Sequence, residues 1–221
     1  GLLIQPSAAQ FFGIDRLGWF ALVPAGVVID HRIWQLATYL FLHSDVIHLF
    51  FNLLMLAFLG GELEAVWGLK RFLKYYFFCG ISAGLVYLLL QLFVLGGEGL
   101  RIPMIGASAA IYGILVAYGL IFGERVMLFM MLFPMKAKHF VWILAGIEFL
   151  QSIYSGRGGL SRVAHLCGMA AGVIYLWSAA RWGVLRKKRR QTSEFKQKAK
   201  THGKQFNMIL KLGGEVDPDN S

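Results

Sequence analysis

Apolar residues in this chain gather into long, nearly uncharged runs. Residues 49–61, 72–95, 104–122, 140–153 and 163–180 are each dominated by aliphatic, aromatic and small side chains. Several approach the ~20 apolar residues that a helix needs to cross a bilayer. No period-2 alternation passes through them, which sets membrane strands aside. The pattern predicts an all-α, polytopic membrane helix bundle. Residues 1–12 read as the end of a first helix, truncated in this chain. Residues 13–42 form a long connection whose Leu17, Trp19, Phe20 and Trp34 suit the membrane interface. Further spans are expected over residues 46–66, 72–95, 103–123, 140–154 and 163–182, with a turn at 96–99, a connection at 124–139 that contains Pro134, and a Gly-rich loop at 155–159. No internal repeat and no cleavable signal peptide is visible.

Composition agrees with that pattern: 57% of residues are hydrophobic and 15% charged, where a soluble domain has about half and about a quarter. The net charge of +10 changes the picture only through its placement. Eleven of the 22 Lys and Arg lie from Arg181 onward, five of them in the run 186–190. A basic run directly after an apolar span is read as a cytoplasmic anchor rather than a nucleic-acid patch. The chain then divides into a membrane domain, 1–185, and a basic polar cytoplasmic tail, 186–221. Lys70, Arg71 and Lys74, with Arg125, Lys136 and Lys138, fall on the same cytoplasmic side. The starts of spans two, four and six are thereby placed at the outer face. Cys79 and Cys167 both sit in apolar runs and read as buried small residues, not as a disulfide or a metal site.

Polar groups inside membrane helices are costly and call for a reason. They cluster at those three outer starts. His48 and Asn52, four apart, share one helix face. Ser108 opens a helix among the small residues Gly106, Ala107 and Ala109, where backbone N–H groups and the positive dipole end favour a developing oxyanion. His165 precedes Gly168 and Gly172, a GxxxG spacing that lets two helices approach closely. Taken alone, the His48/Asn52 pair and Ser108 read more readily as helix-packing chemistry, and His165 reads equally well either way. Together they supply a nucleophile, a base and oxyanion donors at one membrane depth. No acid within a span is obviously placed to complete a triad. Asp45 is nearest in sequence to a histidine but lies in a loop, so a Ser–His dyad is the sharper reading.

In order along the chain, Trp34-Gln-Leu-Ala-Thr38, His43 with His48 and Asn52, Gly60-Gly61 with Glu64, Gly106 with Ser108 and Tyr112, and His165 with Gly168 and Gly172 resemble the motifs of the rhomboid family over residues 17–182. The resemblance implies a rhomboid-like six-helix core and an intramembrane serine endopeptidase. It implies Ser108 as nucleophile, His165 as base, and His48, Asn52 and the Ser108 N–H as the oxyanion site. Tyr112 would stack on His165, Glu64 would be structural, and His43 would support the outer loop or a water. The fifth span would be the gate through which a substrate helix enters. Single-span membrane proteins are the implied substrates and the lipid bilayer the implied partner, in a bacterial plasma membrane, with no cofactor, metal or nucleic acid. The family often has Gly directly after the serine; Ala109 stands here, and a methyl is expected to be tolerated at a helix start. The alternative is a non-catalytic rhomboid-like protein that binds or escorts membrane proteins.

Overall fold

The structure, a computed structural model, describes residues 18–93, 96–129, 133–154 and 162–182. The expected first-helix end, the Gly-rich loop at 155–159 and the tail from residue 186 lie outside the described residues. The chain falls into two units that divide after Leu176, and the site described below lies in the first.

The segment before the first long helix folds into two short helices, α1 (Pro24–Val28) and α2 (Gln35–Thr38), and a 3-10 turn, Tyr39–Phe41. The sequence explains how so irregular a stretch is held. Gln35 is fully buried. Its Nε2 donates to the carbonyls of Gly18 and Trp19 at 2.9 and 3.3 Å, and its Oε1 accepts from Val23 N at 3.1 Å. The Thr38 hydroxyl lies 2.7 Å from the Phe20 carbonyl, and Trp34 Nε1 donates to the Trp19 carbonyl at 2.9 Å. The Trp-Gln-x-x-Thr motif therefore replaces a ladder of backbone bonds with side-chain bonds. Trp19 and Trp34 stack with parallel rings 6.0 Å apart and remain exposed, as suits amphipathic rings at an interface. Leu22 and Met104 exchange backbone bonds of 3.0 and 2.9 Å, and Tyr39 OH donates to the Gly80 carbonyl at 2.7 Å.

Among the described residues, three helices are long and apolar enough to cross a membrane: Val46–Trp67, Leu69–Phe93 and Arg162–Trp182. The first comprises α3 (Val46–Met55), a π turn (Leu56–Gly60) and α4 (Gly61–Trp67). The second is α5 (Leu69–Phe93), and the third, α8, is the last described helix. Val46, Ile47, Phe50 and Phe58 are exposed along the first, a face suited to lipid tails.

Two expected spans differ. The fourth shortens to α6 (Ser108–Ile121), 14 residues and about 21 Å long, because residues 103–107 stay non-helical. Ala109, Ile111, Ile114, Val116 and Tyr118 are all buried. A helix covered along most of its length, with only Leu120 and Ile121 of its last turn exposed, has no need to reach both faces of a bilayer. The fifth becomes α7 (Ala137–Tyr154), in which Lys138, His139 and Glu148 dilute the apolar run. It is not one of the three helices that meet the length and hydropathy of a crossing segment.

The connection between α6 and α7 contains a two-stranded antiparallel hairpin, β1 (Val126–Phe129) and β2 (Phe133–Lys136), with Val126 opposite Lys136 and Leu128 opposite Pro134. Glu124 bridges Lys136 and Lys138, and these two ammonium groups hold its carboxyl at about 2. Glu62 ties α4 to this region by an ion pair with Arg125 and a bond from Tyr118 OH at 3.2 Å. Both cysteines are free, with Cys79 buried and Cys167 half-buried. In the second unit, Arg181 lies over the Trp177 ring at 4.2 Å.

Candidate active site

The close approach of α8 to α6 is set by small residues. A β-carbon added to Gly168 would lie 2.8 Å from the carbonyl carbon of Ala109 and closer still to its oxygen. One added to Gly113 would sit 3.2 Å from the Gly168 carbonyl oxygen. Tyr75 OH on α5 donates to the Gly113 carbonyl at 2.6 Å and closes the same region from a third helix. With the backbones this near, His165, just under a turn before Gly168, reaches the start of α6. Its Nε2 lies 2.7 Å from Ser108 Oγ. Tyr112, one turn on from Ser108, stacks on the imidazole with ring centroids 4.7 Å apart and planes 14° from parallel.

Ser108 occupies the first helical position, so its N–H has no intrahelical acceptor. The preceding turn depends on Gly106, whose φ of +116° is disfavoured for L side chains. Gly106 N donates to the Tyr39 carbonyl at 3.0 Å, which holds this turn against the Tyr39–Phe41 segment. A β-carbon on Gly106 would come 3.0 Å from His48 Cε1 and 3.6 Å from Ser108 Oγ. His48 and Ser108 thus face one another across a residue with no side chain.

His48 is placed by the cap of its own helix. Asp45 Oδ1 accepts from His48 N at 2.7 Å, and that bond does most to hold the carboxyl below the usual carboxylate range. The acid nearest in sequence to a histidine is therefore a helix cap. Ser44 Oγ lies 2.7 Å from Asp45 Oδ2 and 3.1 Å from His48 Nδ1. One hydroxyl proton serves one acceptor at a time. Turned toward His48 Nδ1, it leaves the neutral ring's N–H on Nε2, facing Gly106.

A cavity of about 220 Å³ opens between these elements, lined by Tyr39, Ser44, His48, Gly106, Ser108 and His165 among others. Ala109 also lines it and is buried, so its methyl is accommodated. Asn52 does not line the cavity; it is buried one turn further along α3, with Nδ2 unpaired among the described residues. His43 packs edge-on against His48 at 5.1 Å, also outside the lining. Its Nε2 is buried without a partner among the described residues, and burial holds its imidazole below the ordinary histidine range.

The sequence suggests no acid beside the histidine, and the structure corrects this. Glu148 of α7 is buried, 6% exposed, with Oε2 3.2 Å from His165 Nδ1 and Oε1 accepting from Tyr112 OH at 2.5 Å. The only hint in the sequence is a single carboxylate in an otherwise apolar stretch.

Residues 30–182 match the Rhomboid domain family. The chain is 35% identical over 115 residues to Inactive RHOMBOID-like protein 8 of Arabidopsis thaliana, covering 52% of this chain and 29% of that protein. It is 34% identical over 86 residues to Rhomboid-like protease 3 of Toxoplasma gondii, covering 39% of this chain and 30% of that protein. It is 27% identical over 188 residues to Rhomboid protease GlpG of Haemophilus influenzae, covering 84% of this chain and 86% of that protein. The chain thus spans under a third of the first two relatives and most of the third.

Proposed function

This chain belongs to the rhomboid family of integral membrane proteins, and from there we propose that it is an intramembrane serine endopeptidase working by a Ser108–His165 dyad. The observation that carries this reading is the 2.7 Å approach of Ser108 Oγ to His165 Nε2 at the wall of a cavity. A serine hydroxyl is a weak nucleophile until a base takes its proton, and a neutral imidazole is suited to that task.

Ser108 Oγ attacks a peptide carbonyl of a substrate membrane segment while its proton passes to His165 Nε2. The resulting oxyanion is met by the Ser108 N–H and by His48 Nε2; the family resemblance adds Asn52 Nδ2, behind the cavity wall, as a further donor. Buried donors left unpaired cost about 1–3 kcal/mol each, and Asn52 Nδ2 is one such group. An anion that forms only during reaction gives that cost a purpose. His165 returns the proton to the leaving amine, and water resolves the acyl-enzyme. A helical peptide bond hides its carbonyl, so the substrate unwinds locally. The small residues Gly106 and Ala109 favour a small side chain at the cleaved bond. His43 and Tyr112 act as supports.

The substrates of this reading are single-span membrane proteins. The Lys and Arg distribution supports a site toward the outer face and a cytoplasmic tail after a membrane domain that ends near residue 185. A bacterial plasma membrane is the setting assigned. A second reading, a non-catalytic binder of membrane proteins, takes its support from the relative whose name calls it inactive.

Cleavage of a fluorescent transmembrane substrate in proteoliposomes separates the two. Loss of activity in both Ser108→Ala and His165→Ala, with folding retained, supports the dyad; cleavage by Ser108→Ala would sink it. A fluorophosphonate should label the wild type and fail on Ser108→Ala, with a rate about 10²- to 10⁴-fold lower in His165→Ala. A wild type that neither cleaves nor labels is a binder.

A further inference from the structure

His165 carries two ring nitrogens, and only Nε2 is used by Ser108. The other, Nδ1, is buried and has no hydrogen bond elsewhere among the described residues. The same holds for Glu148 Oε2, and the two atoms face each other at 3.2 Å without the alignment of a full hydrogen bond. A buried carboxylate oxygen and a buried imidazole nitrogen, each otherwise unpaired, satisfy one another most cheaply if the nitrogen carries a proton.

The rest of the carboxylate is also held. Tyr112 OH donates to Oε1 at 2.5 Å while its ring lies flat on the His165 imidazole. Arg162 Nη1 comes within 3.8 Å of Oε2 and donates to the Gln151 side chain. A ring stacked on one face and faced by a carboxylate at one edge has little freedom to flip.

We infer that Glu148 is a positioning residue for the Ser108–His165 pair, holding His165 in the tautomer with its proton on Nδ1. A neutral imidazole has one N–H. With that proton on Nδ1, Nε2 presents its lone pair to the Ser108 hydroxyl, as a base must. With the proton on Nε2, the ring could only donate to Ser108. When Nε2 takes the serine proton, the imidazolium that forms lies against the Glu148 carboxylate, which stabilises the charge at the moment it appears. Glu148 does not line the cavity and meets the pair at His165 Nδ1, so it acts through His165.

The kinetic part of the test rests on the protease reading; the spectroscopic part does not. The full chain, labelled with ¹⁵N-histidine, is compared with Glu148→Gln, and the His165 signals among the six histidines are identified by their loss in His165→Ala. The neutral wild type should show His165 protonated at Nδ1, and Glu148→Gln should show a mixture of tautomers. With a cleavable substrate, Glu148→Gln should lower kcat roughly 10- to 100-fold and leave KM little changed, whereas a merely structural role would leave the tautomer of the folded variant unaltered. A wild-type His165 protonated at Nε2, or a Glu148→Gln enzyme with full turnover, would overturn the inference. If the wild type cleaves nothing, the protease reading has failed and the wild-type tautomer alone decides this one.

Discussion

Gly168 on α8 and Ala109 on α6 meet backbone to backbone, with no room for a β-carbon between them. Their contact fixes the distance between the helices that carry His165 and Ser108. Replacing Gly168 with Ala should push the helices apart and cost about 1–3 kcal/mol, the usual range for overpacking a tight interface. Separation by even an ångström would break the 2.7 Å contact, so activity should fall further than stability. Thermal melting in detergent and substrate cleavage, measured on one preparation, check both. A Gly168→Ala protein with unchanged melting and turnover would show that this contact does not set the register.

Gly106 offers a second, more local test. Ala at this position meets an unfavourable φ and the edge of the His48 ring at 3.0 Å. Strain of that kind costs about 1–3 kcal/mol, and the ring must turn away from Ser108 to relieve it. Gly106→Ala should fold, with lower turnover and slower fluorophosphonate labelling. Labelling at the wild-type rate would mean that His48 does not need the open space.

The interfacial segment depends on Gln35. Gln35→Leu keeps the volume but leaves Val23 N and the Gly18 carbonyl without their side-chain partner. A group left unpaired costs up to about 1–3 kcal/mol when fully buried and less for these half-buried ones, and the loss should appear as faster proteolysis within residues 18–42 together with a lower melting temperature. The same rate of nicking in variant and wild type would rule out Gln35 as the anchor.

Asp45 gives a pH signature. The backbone N–H of His48 holds its carboxyl below the ordinary range, so its contribution to folding is fully present above the unfolded carboxylate pKa of about 3.9 and fades as the pH falls through the lower, folded value. Asn caps a helix about as well as Asp but does not titrate. Melting of Asp45→Asn should therefore lack the part of the acid-induced decline that the wild type shows below about pH 4. Superimposable melting curves against pH for the two proteins would remove Asp45 from the acid response.

Much of the architecture was legible because hydropathy and small-residue spacing are local properties. A run of apolar residues long enough to cross a bilayer must satisfy its own backbone bonds, so it becomes a helix whatever its neighbours do. Helices 46–67, 69–93 and 162–182 follow from that requirement. The close approach of α8 to α6 is likewise written in Gly168 and Gly172, since a residue without a side chain permits backbone contact. Relations between elements were less open to reading. The shortness of α6 depends on its being enclosed by neighbours, and the hairpin at 126–136 depends on how two helix ends are joined. Asp45 sits beside histidines in sequence, yet its carboxylate turns to the helix terminus. Glu148 is 17 positions before His165, on another helix, and only the rotation and packing of α7 against α6 and α8 bring its carboxylate to the imidazole. Free energies of insertion and helix formation are set within a segment. The distance between two side chains on different helices is set by the packing of everything around them.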